Sequence, residues 1–253
     1  MSTPYVHTET VQPGLTRITF FHPKHNSLPS DILAQLAQAI TAAGRDPETR
    51  VIVLQSGGDR TFCAGASFDE LVAIADFATG KEFFMGFARV INACRRCPKL
   101  IIGRVQGKAV GGGVGVAAAT DYCLATRFAS VKLSELNVGI GPFVVGPAVS
   151  RKIGVSAMSQ LAINANTFFD AHWAQQKGLY AEVHDSAEAL DAAVMQLATY
   201  LLSVNPEAQE ALKATFWADC DHWDQLLEAR AELSGRMVLS DFTKQALAKY
   251  AAG

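Results

Sequence analysis

Three consecutive glycines, Gly111-Gly112-Gly113, stand between an apolar run, Leu100-Ile101-Ile102, and an alanine-rich segment, Val116-Ala117-Ala118-Ala119. This order reads as a buried strand, a tight loop and a helix packed so closely that only glycine, alanine and valine fit. Such a loop leaves bare backbone N–H groups at the positive end of a helix dipole. They can hold a phosphate, or a carbonyl oxygen that gains negative charge during a reaction.

The phosphate reading fits poorly. Gly113-x-Gly115-x-x-Ala118, with Glu135 downstream, matches the dinucleotide fingerprint only loosely. In that fold the first glycine follows the strand directly, whereas here Gly107-Lys108-Ala109-Val110 intervenes. A Walker loop needs Gly-Lys-Ser/Thr after the glycines, which is missing. Close helix–strand packing would account for a single glycine-rich run taken alone. A second loop changes the balance. Phe62-Cys63-Ala64-Gly65-Ala66-Ser67 also follows a buried strand, Val51 to Leu54, and opens a helix near Ser67 or Phe68. Two N–H groups converging from separate loops form an oxyanion hole, in which one donor contributes about 3 kcal/mol to a transition state. A thioester carbonyl polarised there has an acidic α-proton, and Glu135 stands downstream as the base.

Composition narrows the classes. At 253 residues and 49% hydrophobic, the chain can bury one substantial core. A net charge of −2 gives no basic surface for nucleic acid or an anionic membrane. The N-terminal Met1-Ser2-Thr3-Pro4-Tyr5 lacks a targeting pattern, and no apolar run reaches the roughly 20 residues of a membrane span, so a cytoplasmic protein is expected. Five scattered cysteines, Cys63, Cys94, Cys97, Cys123 and Cys220, argue against a disulfide framework. Cys94-Arg-Arg-Cys97 has redox or zinc spacing but no second ligand pair, and reads as the end of a helix stopped by Pro98. His172, His184 and His222 show no metal spacing, so no metal is expected.

Along the chain, Tyr5–Thr10 and Leu15–Phe21 read as a hairpin around Pro13-Gly14. A helix starts at Pro29-Ser30-Asp31 and stops at Gly44, and a longer one covers Lys81 to Cys97. Strands follow at Leu100–Val105, Asp121–Ala125 and Ser130–Leu133. From Ala148 onward the pattern is helical except for a short strand within Leu179–His184. Alternating strand–loop–helix units predict an α/β core over residues 1–195. Residues 196–253 form a helical C-terminal appendage that packs on the core or on a neighbouring subunit.

Taken in order, Pro23-Lys24-His25-Asn26-Ser27-Leu28, Phe62-Cys63-Ala64-Gly65-Ala66, Ala109-Val110-Gly111-Gly112-Gly113-x-x-x-Ala117, Asp121, Glu135-x-x-x-Gly139 and Ala174-x-x-x-Gly178-Leu179 resemble the crotonase (enoyl-CoA hydratase/isomerase) superfamily. The resemblance implies a spiral of ββα units, homotrimers or homohexamers, and acyl-CoA substrates, with coenzyme A entering only as part of the substrate. It implies oxyanion donors at the N–H groups of Ala66 and Gly112, proton transfer by Glu135, and substrate contacts from Ala64, Gly65, Gly111 and Phe143. Lys24 is a further candidate, for CoA phosphates.

Two departures bear on the reaction. Hydratases of the family carry two glutamates; the second matches Glu135, but the first falls on Gly115. Where they have a glycine beside the water, after the shared proline, this chain has Phe143 after Pro142. One carboxylate in a dry pocket suits isomerisation, removing a proton at C2 of a 3-enoyl thioester and returning it at C4. Asp69 or Glu70 could restore a second acid and with it enoyl-CoA hydration, the alternative. Decarboxylation and thioester hydrolysis are more distant, as are an NAD-dependent dehydrogenase and a non-catalytic scaffold.

Overall fold

The computed structural model describes residues 3–251; Met1 and Ser2, part of the stretch read for a targeting pattern, lie outside them. The chain opens with β1 (Tyr5–Gln12), β2 (Leu15–Phe21), β3 (Ser27–Leu28), α1 (Ser30–Arg45) and β4 (Val51–Ser56). Then come β5 (Thr61–Cys63), β6 (Gly65–Ala66), α2 (Phe68–Val72), α3 (Phe77–Arg96), β7 (Leu100–Val105), β8 (Lys108–Val110) and α4 (Gly112–Ala119). Next are β9 (Tyr122–Thr126), β10 (Ser130–Lys132), a 3-10 turn (Glu135–Val138), α5 (Gly146–Ile163), β11 (Phe169–Asp170), α6 (Ala171–Gln176) and β12 (Glu182–His184). Four helices close the chain: α7 (Ala187–Ser203), α8 (Pro206–Phe216), α9 (Trp223–Met237) and α10 (Asp241–Ala251).

The strands sort by their place in a repeat. First strands β4, β7 and β9 lie in a sheet ordered β1-β2-β4-β7-β9-β12, while second strands β5, β8 and β10 lie in another, ordered β11-β10-β8-β5. Each turn of the chain thus lays one strand in the large sheet, one in the small sheet, and returns through a helix or turn. The expected α/β spiral of ββα units is present. Apart from β1, the large sheet is parallel. Its central strands are near-continuous apolar runs because both faces are covered. On one face Leu15, Val53, Ile102 and Leu124 pack against Leu190 and Val194 of α7. On the other Ile18, Ile52 and Leu54 join α1, α3 and α4 in the main core.

Helix α7 carries the chain unbroken across residue 195, and α8 to α10 fold back on the core of the same chain. Glycine faces glycine where α9 crosses α3: a methyl group on Gly80 would stand 3.1 Å from the Gly235 carbonyl oxygen. Helix α8 is tied in by a buried ionic knot. Asp121 accepts hydrogen bonds from Lys213 Nζ at 2.8 Å, Trp217 Nε1 at 3.0 Å and the Ile101 N–H at 2.8 Å. Asp121 and Lys213 are both almost wholly buried, so the pair is shielded from solvent screening.

Two sequence expectations shift. Helix α1 runs past Gly44 to Arg45; this glycine lets the helix approach Cys97 Sγ and Pro98, where a methyl group would stand 3.0 Å from the sulfur. Helix α3 begins at Phe77 rather than Lys81, because the Asp76 carboxylate caps it by accepting from the Thr79 N–H at 2.9 Å.

Candidate active site

The ends of the second strands and the helices they open surround one cavity of about 520 Å³. The two glycine loops form its floor. Asn26 anchors the first: its side-chain amide donates to the carbonyls of Gly57 and Thr61, and its own carbonyl accepts from the Ala64 N–H. Gly65, at φ +93°, brings the backbone against the second loop, where a methyl group on it would stand 3.2 Å from the Val110 carbonyl oxygen and 3.8 Å from Gly112 N.

Each of the three consecutive glycines is required for a different reason. Gly111, at φ 52° and ψ −117°, adopts a backbone that a side chain would strain, and a methyl group there would stand 3.0 Å from Glu135 Oε1. A methyl group on Gly112 would lie 2.3 Å from the Phe87 ring, and one on Gly113 2.5 Å from the Cys63 carbonyl oxygen. Helix α4 opens at Gly112, and the N–H groups of Val114 and Gly115 return to the Gly111 carbonyl. The Gly112 N–H, in the first turn, has no intrahelical acceptor.

Glu135 opens the 3-10 turn that Gly139 closes at φ 76°. The residue is half-buried, but its Oε2 is fully enclosed and has no hydrogen-bond partner among the described residues. Burial pushes the carboxyl up to about 7, opposed by a hydrogen bond from its own backbone N–H. It is the only carboxylate lining the cavity among the described residues.

Ala64, Gly65, Ala66, Gly111, Gly112, Glu135 and Phe143 all line this cavity. Lys24 does not: it stands exposed at the surface, paired with Asp69. Glu70 instead accepts from the Ser30 hydroxyl at 2.6 Å and N–H at 3.0 Å. Both candidate second acids are therefore turned away from the cavity. At Gly115, where a second glutamate would sit, the space is taken by Val145, 2.5 Å from where a methyl group would be. The Phe143 ring lies over Gly141 and presents an apolar wall.

Further lining residues were not legible as such in the sequence. Phe83, Phe84 and Phe87 lie in α3, which the sequence announced only as a helix, and Phe168 and Ser234 lie far along the chain from the glycine loops. Lys132 gave no signal beyond a lysine within an apolar strand. The Cys94 thiol is free and pushed up to about 12 because burial outweighs the pull of the Lys213 charge, while Arg95 turns to Asn92 and Asp224. Among the described residues no cluster of His, Cys, Asp and Glu could hold a metal ion, and no helix is long and apolar enough to cross a membrane.

Residues 10–251 match the family model described as enoyl-CoA hydratase/isomerase. The chain is 31% identical over 206 residues to a (7aS)-7a-methyl-1,5-dioxo-2,3,5,6,7,7a-hexahydro-1H-indene-carboxyl-CoA hydrolase of Mycobacterium tuberculosis, covering 81% of each. It is 26% identical to the peroxisomal Delta(3,5)-Delta(2,4)-dienoyl-CoA isomerase of Arabidopsis thaliana, covering 89% of this chain and 85% of that one. A crystal structure of an enoyl-CoA hydratase from Mycobacterium avium superposes with a TM-score of 0.86 at 27% identity, covering 98% of this chain and 96% of that one. With the two glycine loops, the buried glutamate and the ββα spiral already in place, these matches show that the chain belongs to the enoyl-CoA hydratase/isomerase family.

Proposed function

We propose that this acyl-CoA enzyme moves the double bond of a 3-enoyl-CoA to the 2-position by single-base proton transfer. The observation that carries the reading is Glu135 itself, a lone, enclosed carboxylate with an unpartnered oxygen beside Gly111. Its ionised form takes a proton from C2 of the substrate. The electrons move onto the thioester oxygen, where the N–H groups of Ala66 and Gly112 stabilise the dienolate. The protonated Glu135 then returns the proton at C4, leaving the double bond between C2 and C3. Nothing is consumed, and no group besides the CoA of the substrate takes part. A pKa near 7 suits both halves, since the same group must accept and then release the proton near neutrality.

Packing supports isomerisation over hydration. Water activation in the two-glutamate pattern needs a second carboxylate, and Val145 fills the space beside Gly115. Phe143 covers the wall next to it with an apolar ring. The trimeric or hexameric assembly expected from the family belongs to the same proposal and is checked by sedimentation.

The test offers purified protein a 3-enoyl-CoA and, separately, a 2-enoyl-CoA, following the conjugated thioester absorbance. A rise with the 3-enoyl substrate that Glu135→Gln abolishes is the expected result. A fall with the 2-enoyl substrate would instead assign hydration, and silence with both would reject the reaction.

A further inference from the structure

Lys132 is the only cation lining the cavity among the described residues, and the proposed isomerisation does not use it. It is not the partner of Glu135, whose Oε2 has none. Its ammonium sits 5.1 Å from the centre of the Phe168 ring, and Lys108 Nζ sits 5.1 Å from the same centre. The register explains the pairing. Lys132 lies opposite Val110 in the parallel β8–β10 ladder, and Lys108 precedes Val110 by two residues. All three therefore face the same side of the small sheet, and Val110 itself lines the cavity. Neither lysine is ion-paired with any described residue. One aromatic face compensates two ammonium groups only in part, so Lys132 brings uncompensated positive charge to the cavity, while Lys108, outside its lining, stands exposed beside the same ring.

We propose that this pair holds a carboxylate borne on the acyl group, so that the cavity selects acyl-CoA substrates with an anionic acyl end. The inference rests on the acyl-CoA reading of the site and deepens it. Lys132 is rooted at the reacting centre: its carbonyl accepts the Gly111 N–H at 2.9 Å, and Glu135 follows three residues later. With the thioester carbonyl at Gly112, a side chain from this place meets the acyl group. The CoA phosphates lie at the far end of the whole pantetheine arm. Phe168 supplies an apolar plate against which a short acyl chain lies while its carboxylate reaches the two ammonium groups.

The test measures dissociation constants for saturated thioesters, which cannot isomerise, so the result stands whether or not the proposed reaction does. Succinyl-, glutaryl- and adipoyl-CoA are compared by calorimetry with butyryl-, pentanoyl- and hexanoyl-CoA, and each pair again as pantetheine thioesters. In the wild type at least one dicarboxylic ligand is expected to bind about tenfold or more tightly than its neutral counterpart, as a charge-assisted hydrogen bond provides. The preference should persist with pantetheine thioesters. It should fall to about one in Lys108→Met/Lys132→Met and survive in Lys132→Arg, which keeps the charge. Equal affinities across every wild-type pair would overturn the proposal. So would a double variant that weakens all CoA ligands alike and leaves pantetheine thioesters untouched, since the anion would then be a CoA phosphate.

Discussion

Glu135→Gln tests the burial of the base by two independent readouts that move in opposite directions with pH. The wild-type carboxyl is pushed from 4.5 to about 7 because burial penalises its charged form. A folded-state pKa above the unfolded one means that the native protein holds this proton more tightly. The stability it contributes is therefore full below about pH 4.5 and lost as pH rises through about 7. At 1.36 kcal/mol for each tenfold in proton affinity, the ionised group costs about 3 kcal/mol once both titrations are complete. Between about pH 5 and about pH 8 most of that cost, about 2–3 kcal/mol, is incurred. Glutamine has nearly the same shape and no charge to desolvate, so its advantage over the wild type should grow by that amount across the window. In a chain of this length it corresponds to roughly 5–10 °C in Tm, read from parallel melts of the two proteins. Turnover runs the other way. The base must be ionised to take the C2 proton, so wild-type kcat/KM for a 3-enoyl-CoA should rise with pH and level off above about 7. Parallel stability curves, or activity already level at about pH 5, would refute the enclosure of Glu135.

Three further outcomes follow from packing. Gly115→Glu alone should lose stability without gaining hydration, because its side chain meets Val145 at 2.5 Å. Combined with Val145→Ala it should recover stability and raise turnover of a 2-enoyl-CoA. Asp121→Ala leaves Lys213 buried without its counter-charge, and should cost about 3–5 kcal/mol in denaturant unfolding; Asp121→Ala within a Lys213→Met background should cost less than in the wild type. Cys63, Cys94 and Cys123, each held by burial at about 12, should resist a thiol-specific reagent at neutral pH until the protein unfolds, as counted by labelled mass.

What was legible in the sequence was what a single residue type can announce. Glycine at Gly65 and Gly111 marks places where the backbone turns through positive φ or lets another group approach. The ordered glycine loops and Glu135 therefore located the cavity and its carboxylate. The apolar runs Val51–Leu54 and Leu100–Ile102 announced buried strands, which became β4 and β7. Strand β8 was not legible, because three residues between Gly107 and Gly111 carry no periodicity. They become a strand only by pairing with β5 and β10, which is tertiary information. Lys24, Asp69 and Glu70 do not line the cavity, for a related reason. Asp69 and Glu70 directly follow the first loop in sequence, but Glu70 is held by Ser30 and Asp69 by Lys24, outside the cavity lining.

The same limit applies to the walls, and it decides the chemistry. A departure such as Gly115 is legible as a missing carboxylate, but its meaning depends on what fills the space. Had that space stayed open, water could have entered and an acid from elsewhere could have served it. Val145, thirty residues further on, closes it instead, and the Phe143 ring folds over Gly141 to extend the same apolar wall. The missing glutamate and the valine are thus one structural change distributed over two positions. Either alone would be a defect: a glutamate against Val145 would clash, and a glycine facing a smaller residue would leave a void. Together they leave a filled wall beside the one carboxylate that lines the cavity among the described residues. This coupling makes the Gly115/Val145 pair, rather than either residue alone, the place to look for the switch between proton shuttling and water addition.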